Sequence, residues 1–192
     1  MKLMTFTHNR QTRMGAVVDD EVVDGFGSSA LPASMIEFLS AGTSALEALQ
    51  KLIDSGSHRL PFTEVKVHAP VPRPGKYLAI SLNYAEHIEE TGKEKPEYPT
   101  FFNKQTTCVI GCGEPIHRPK VSEKLDYEGE LAFVIGKRCR HVPLEQAHQV
   151  IAGFTIANDV SVRDWQARSP TMTLGKSFDT HGPLGPWLVT PD

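Results

Sequence analysis

Apolar and polar positions along the chain come in short bursts that change period several times. Two apolar runs, Met14-Gly15-Ala16-Val17-Val18 and Val22-Val23, flank the acidic pair Asp19-Asp20 and predict a β-hairpin. From Ser34 to Ile53 the period becomes helical. Met35, Phe38, Leu39, Leu46, Leu49, Leu52 and Ile53 share a face, with a break near Ala41-Gly42-Thr43, so two short helices are expected. The segment Ala69-Pro70-Val71-Pro72-Arg73-Pro74-Gly75 carries three prolines, admits neither helix nor central strand, and marks a boundary. Beyond it, residues 76–80 read as a buried strand. Asn83 with Glu86 three residues on reads as the cap of a short helix stopped by Gly92. Further strands are expected at 100–103, 125–135, 150–158 and 187–189. The pattern predicts a strand-rich α+β protein, with a small N-terminal α+β domain at residues 1–70 and a core at 71–192.

Composition narrows the function classes. The 192 residues carry 20 Lys+Arg against 23 Asp+Glu, a formal charge of −3. A chain this long buries roughly 70% of its unfolded surface as one domain, and 22% charged residues do not make a disordered tail. A mildly acidic chain without a basic stripe has no footprint for nucleic acid. The longest apolar runs, such as residues 131–136, are too short to span a bilayer, and Met1-Lys2-Leu3-Met4-Thr5 lacks the apolar core of a signal peptide. A soluble, cytoplasmic protein is expected. Cys108, Cys112 and Cys139 are an odd set, read as free, partly buried thiols, since no second pair stands at zinc-finger spacing.

Four constellations carry candidate chemistry. In Leu125-Asp126-Tyr127-Glu128-Gly129-Glu130-Leu131, strand alternation puts Glu128 and Glu130 on one face. Two carboxylates so placed need solvent or a shared hard cation, Mg²⁺, Mn²⁺ or Ca²⁺. In Asn158-Asp159-Val160-Ser161-Val162-Arg163-Asp164-Trp165-Gln166, an apolar run ends on Asp159, well placed as a third ligand. Arg163 and Gln166 share a helical face and suit a substrate carboxylate. Helix capping by surface polar groups is the plain alternative. His87 and Glu90 at i, i+3 can touch, so that the carboxylate orients the imidazole for general base work; surface helices carry this pair often. Lys176, in Leu174-Gly175-Lys176-Ser177-Phe178, could stabilise an oxyanion, and Lys104 is a similar cation. Pro170 stands where a P-loop needs glycine, so the segment is not one.

The order of these motifs resembles the fumarylacetoacetate hydrolase family. The resemblance rests on Asn83-Tyr84 through Glu90, Phe102-Asn103-Lys104, Tyr127-Glu128-Gly129-Glu130-Leu131, Asn158 through Gln166, and Gly175-Lys176-Ser177-Phe178, and covers residues 70–192. It implies a mixed β-roll core and a divalent metal, Mg²⁺ or Mn²⁺ with Ca²⁺ as a further option, on Glu128, Glu130 and Asp159. It assigns Lys104, Arg163, Gln166 and Thr180 to a small-molecule 2-oxo acid substrate, and His87, Glu90 and Lys176 to catalysis. The implied reaction is hydrolysis of a C–C bond in an acylpyruvate, giving pyruvate and a carboxylic acid. The open alternatives are a metal-dependent tautomerase or decarboxylase and a non-catalytic assembly subunit. Members are commonly homodimers. They usually run several dozen residues past the point where this sequence stops, so the C-terminal part of the core is expected to be missing. Ser81-Leu82 stand where the family often has Gly, and Asp179 where some members have Gly.

Overall fold

The computed structural model describes residues 1–29 and 31–191. In chain order the elements are β1 (Lys2–His8), β2 (Gln11–Val18), β3 (Glu21–Asp24), α1 (Met35–Ala41), α2 (Thr43–Asp54), β4 (Arg59–Pro61) and β5 (Lys66–Val67). Next come β6 (Tyr77–Ser81), α3 (Ala85–Thr91), β7 (Thr100–Lys104), β8 (Val109–Ile110), β9 (Leu125–Asp126) and β10 (Gly129–Ile135). The last are β11 (Ile151–Asn158), β12 (Ser161–Val162), α4 (Arg163–Gln166), α5 (Thr173–Lys176) and β13 (Gly182–Val189). This is the expected strand-rich α+β chain.

One nine-stranded sheet runs β10-β11-β13-β1-β2-β3-β4, with β5 on β1 and β8 on β13. The hairpin of β2 and β3 pairs Val18 with Glu21 and Gly15 with Asp24 across the acidic turn, as the pattern requires. Helices α1 and α2 form where the periodicity puts them. Ser34 caps α1 by accepting from the Glu37 N–H while Glu37 reaches back to its hydroxyl, and Gly42 at φ 65° breaks the path between the helices. Their buried residues Met35, Phe38, Ala45 and Leu49 pack on Leu3, Met14, Ala16 and Leu188.

The sheet runs across the expected boundary at residue 70: β1 pairs with β13 through Lys2–Val189 and Leu3–Leu188, so the N-terminal strands extend the core sheet past the proline-rich segment. The first strand, β1, gives no alternation because both its faces are covered. Leu3 faces one cluster, while Met4 and Phe6 face another with Val17 and Val22. The expected strand at 125–135 is two pieces. Strand β9 turns away to pair with β12, and Tyr127 and Glu128 lie between it and β10. Among the described residues no helix is long and apolar enough to cross a membrane.

Because Leu188 is fully buried beside Leu3 at the seam of the two halves, Leu188→Ala should cost about 2–5 kcal/mol. Urea unfolding should still be a single transition when followed by Trp165 and Trp187 fluorescence. Separate transitions for the two halves would contradict a shared core.

Candidate active site

The acidic residues meet because β10 and β11 are antiparallel neighbours with Gly129 opposite Asn158. That register is closed beyond the ladder on both sides of Glu128. Its N–H donates to Asn158 Oδ1 at 3.1 Å, and its carbonyl accepts from the Asp159 N–H at 2.9 Å. Glu128 and Asp159 are thereby fixed next to each other although neither lies inside a strand. Along β10, Glu130, Ala132 and Val134 point to the half-buried side, whereas Leu131 and Phe133 are exposed. The face that reads as solvated in the sequence is therefore the covered one, and the apolar face is the open one.

Cations alternate with these carboxylates. Lys176 is buried and donates to Glu128 Oε2 at 2.9 Å and to Asp159 Oδ2 at 2.8 Å. Lys104 is fully buried and donates to Asp159 Oδ1 at 2.6 Å, to the Val160 carbonyl at 3.4 Å and to the Lys176 carbonyl. Arg163 grips Asp126 Oδ2 through Nε and Nη2 at 2.9 and 2.7 Å, while its Nη1 donates to Glu128 and, at 3.1 Å, to Gln166 Oε1. The result is an unbroken series, Asp126–Arg163–Glu128–Lys176–Asp159–Lys104.

The electrostatics follow from it. Burial opposes ionisation of Glu128, but the Lys176 and Arg163 hydrogen bonds and charges outweigh burial and hold its carboxyl below the ordinary range. Glu130 moves the other way. Burial pushes it up, and the charges of Glu128 and Asp159 add to the shift against a Tyr84 hydrogen bond. Arg163 itself is raised, because its bonds to Asp126 and Glu128 overcome its partial burial.

The candidate ligands Glu128, Glu130 and Asp159 are an all-oxygen set, which suits a hard divalent ion. The ammonium of Lys176 is a stand-in cation between two of them, and in that sense the residues fit a metal. As they stand, no group of three His, Cys, Asp or Glu side chains among the described residues is arranged to hold one.

The structure places the other expected residues as follows. Lys104 has no exposed surface and its ammonium donates to three protein acceptors. It lies under Asp159, with its ammonium turned into the protein. Gln166 sits against Arg163, as its spacing suggests. Thr180 is elsewhere in the hydrogen-bond pattern, with its hydroxyl accepting from the His117 N–H at 2.8 Å. His87 and Glu90 do pair, Nδ1 to Oε2 at 3.7 Å, but both are exposed, at 55% and 81%, and neither bonds to the acidic series. Their helix has Tyr84, not Asn83, as its N-cap, with no side-chain cap hydrogen bond. It is tied to the site by Tyr84, whose hydroxyl accepts from the Leu131 N–H at 3.1 Å. Of the thiols, Cys108 is buried while Cys112 and Cys139 are exposed, and all three are free.

Three contributors escape the sequence reading. Asp126 continues the two-residue spacing of Glu128 and Glu130, a signal that could have found it. Tyr84 sits inside a motif already singled out. Gly175 is legible only in three dimensions: a Cβ there would lie 2.2 Å from the Gln166 nitrogen and 2.7 Å from the Val162 carbonyl. Glycine lets α5 press onto α4 and carry Lys176 into the cluster.

A sequence model of the fumarylacetoacetate (FAA) hydrolase C-terminal domain matches residues 76–192. The chain belongs to the fumarylacetoacetate hydrolase family. Oxaloacetate tautomerase fahd2, mitochondrial, of Xenopus laevis is 40% identical over 180 residues, covering 93% of this chain and 55% of that protein. The chain spans about half the length of the curated relatives it matches. Among solved structures, fumarylacetoacetate hydrolase from the psychrophile Exiguobacterium antarcticum has a TM-score of 0.82 at 30% identity, covering 99% of this chain and 66% of that one. Maleylpyruvate hydrolase from Sphingobium sp. SYK-6, in complex with manganese(II) and pyruvate, has a TM-score of 0.77 at 30% identity, covering 100% and 68%. The family model starts close to the proline-rich boundary, where the sheet does not break.

Two outcomes are expected. Gly175→Ala should cost about 1–3 kcal/mol through forced overpacking, and a wild-type urea midpoint would contradict the close α4–α5 contact. His181 is fully buried with Nε2 on the His117 carbonyl at 3.0 Å. Burial, with Lys104 nearby, lowers its pKa from 6.5. The unfolded chain therefore takes up a proton first, and stability is lost as pH falls from 6.5 toward the lowered value. Wild type should lose more urea resistance than His181→Gln between about pH 7.5 and about pH 5, on either side of the ordinary histidine range. Equal losses would contradict this.

Proposed function

We propose that this chain carries the catalytic core of an enzyme that stabilises the enolate of a short 2-oxo acid. Its reaction is keto–enol tautomerisation of oxaloacetate or a similar 2-oxo dicarboxylic acid. The observation that carries the reading is the buried Lys176 ammonium inside a cluster of carboxylates, with the Arg163 guanidinium at its more open edge. The 40% identity to an oxaloacetate tautomerase supports the same choice. That relative's name also carries the word mitochondrial, which weighs against the cytoplasm as the expected compartment.

Tautomerisation moves one proton between carbon 3 and the oxygen on carbon 2, and negative charge gathers on that oxygen between the two transfers. Lys176 meets this charge with the ammonium that Glu128 and Asp159 hold in the cluster, a cation of the kind worth about 10²–10³ in rate where charge develops. A substrate carboxylate would take the partly exposed Nε/Nη2 edge of Arg163 in place of Asp126, and so fix which carbon faces Lys176. Gln166, bonded to Arg163, aligns that clamp. Lys104 keeps Asp159 from turning away. Glu128, Glu130 and Asp159 would hold a Mg²⁺ or Mn²⁺ ion, with Ca²⁺ as a further oxygen-loving option, and the ion would supply Lewis acidity to the 2-oxo group. The manganese(II) ion in the maleylpyruvate hydrolase complex supports that choice.

Hydrolysis of an acylpyruvate is the second reading. The His87–Glu90 pair and the hydrolase among the structural relatives favour it. It requires His87 to take a proton from water close to the reacting carbonyl, so α3 would have to close over the acidic cluster. Tautomerisation needs no such movement.

The chain should speed the loss of enol absorbance from oxaloacetate with Mn²⁺ or Mg²⁺. Chelator should abolish the effect, and Lys176→Met should lower kcat by about 10²–10³. Chelator-sensitive pyruvate release from a short acylpyruvate, with no effect on oxaloacetate, would replace this reading by hydrolysis. A folded sample active on neither substrate would overturn both.

A further inference from the structure

Lys176 differs from the other cations of the cluster in what it would take to move it. Lys104 is locked by one carboxylate and two main-chain carbonyls. Arg163 is anchored from outside by Asp126. Lys176 is held through its ammonium by Glu128 and Asp159, both of them candidate metal ligands. The charge count singles it out as well. Asp126, Glu128, Glu130 and Asp159 face Lys104, Arg163 and Lys176, an excess of one negative charge. Without Lys176 the excess is two, which is the charge of a divalent ion.

We propose that Lys176 is a built-in counter-ion, holding the place of a divalent cation between Glu128 and Asp159 and releasing it when the cation binds. The inference rests on the metal-dependent reading above. Glu128 Oε1 and Asp159 Oδ1 are already held by Arg163 and Lys104, so a cation joining both residues would take Glu128 Oε2 and Asp159 Oδ2, the oxygens that Lys176 now holds, against strong repulsion from its ammonium in a poorly solvated site. Lys176 is therefore the group that yields. The ring of Phe102 lies 5.2 Å from its Nζ and offers the ammonium a face as it leaves the carboxylates. Freed in this way, the charge becomes available to the substrate oxygen only once the cation is in place. The order of events is then cation first, 2-oxo acid second. Until then the same lysine keeps the buried Asp159 and the half-buried Glu128 paired, which steadies the fold when no metal is bound.

The test is titration of wild type, Lys176→Met and Lys176→Gln with MnCl₂ alone, by calorimetry and by thermal melting. Glutamine keeps a hydrogen-bond donor near the carboxylates and decides the matter if the methionine variant does not fold. Both variants should melt below wild type without Mn²⁺. They should then bind Mn²⁺ about tenfold or more tightly than wild type, because no internal ammonium competes. Mn²⁺ binding by wild type with equal or weaker binding by the folded variants would overturn the proposal and leave the metal-dependent reading standing. No heat and no melting shift in any of the three would overturn both.

Discussion

The alternating series from Asp126 through Arg163, Glu128, Lys176 and Asp159 to Lys104 is the interaction on which the rest of the site depends. It ties together five places in the chain that have no other reason to meet: the end of β7, the β9–β10 connection, the end of β11, α4 and α5. A buried charge is tolerated only when paired, and removing one partner costs several kcal/mol because the other stays buried and alone. Each member therefore fixes the position of the next. The fully buried lysines Lys104 and Lys176 can exist where they are because Asp159 accepts from both, one on each carboxylate oxygen.

The sheet supplies what this series cannot, namely the register that brings its members within reach. Pairing of β10 with β11 puts Glu128 beside Asp159, and the main-chain bond between them fixes the approach. Strand β13 then joins this pair to β1, so the N-terminal strands and helices α1 and α2 back the same sheet. The glycine at 175 settles the remaining degree of freedom by letting α5 sit against α4. Stability and site geometry are in this way parts of one packing problem, solved with polar groups at the centre and apolar ones behind.

Much of this was legible in the sequence where a single face decides the pattern. The helices α1 and α2, the hairpin of β2 and β3, and strands β6, β7 and β11 follow from periodicity and turn residues alone. The acidic trio could be picked out because carboxylates at two-residue spacing and at a strand's end are chemically conspicuous. What stayed hidden depends on contacts between distant segments. Strand β1 is covered on both faces and shows no alternation. The break between β9 and β10 is set by the pairing of β9 with β12, Asp126 with Ser161 and Leu125 with Val162, a separation over which local pattern says nothing. The burial of Lys104 was hidden for the same reason: a lysine at a strand's end looks exposed until its partners are known. His87 and Glu90 pair as their spacing implies, yet spacing could not say that they would stand apart from the acids.

If Lys176 sits in the place of a cation within a carboxylate site that takes a 2-oxo acid, a crystal structure of this chain grown with Mn²⁺ and oxalate, a stable mimic of a 2-oxo acid enolate, will show it. The ion is expected on Glu128, Glu130 and Asp159, with the Lys176 ammonium moved off both carboxylates and onto oxalate, and Lys104 still under Asp159. An ion bound elsewhere, or Lys176 still bridging Glu128 and Asp159 with oxalate present, would contradict it.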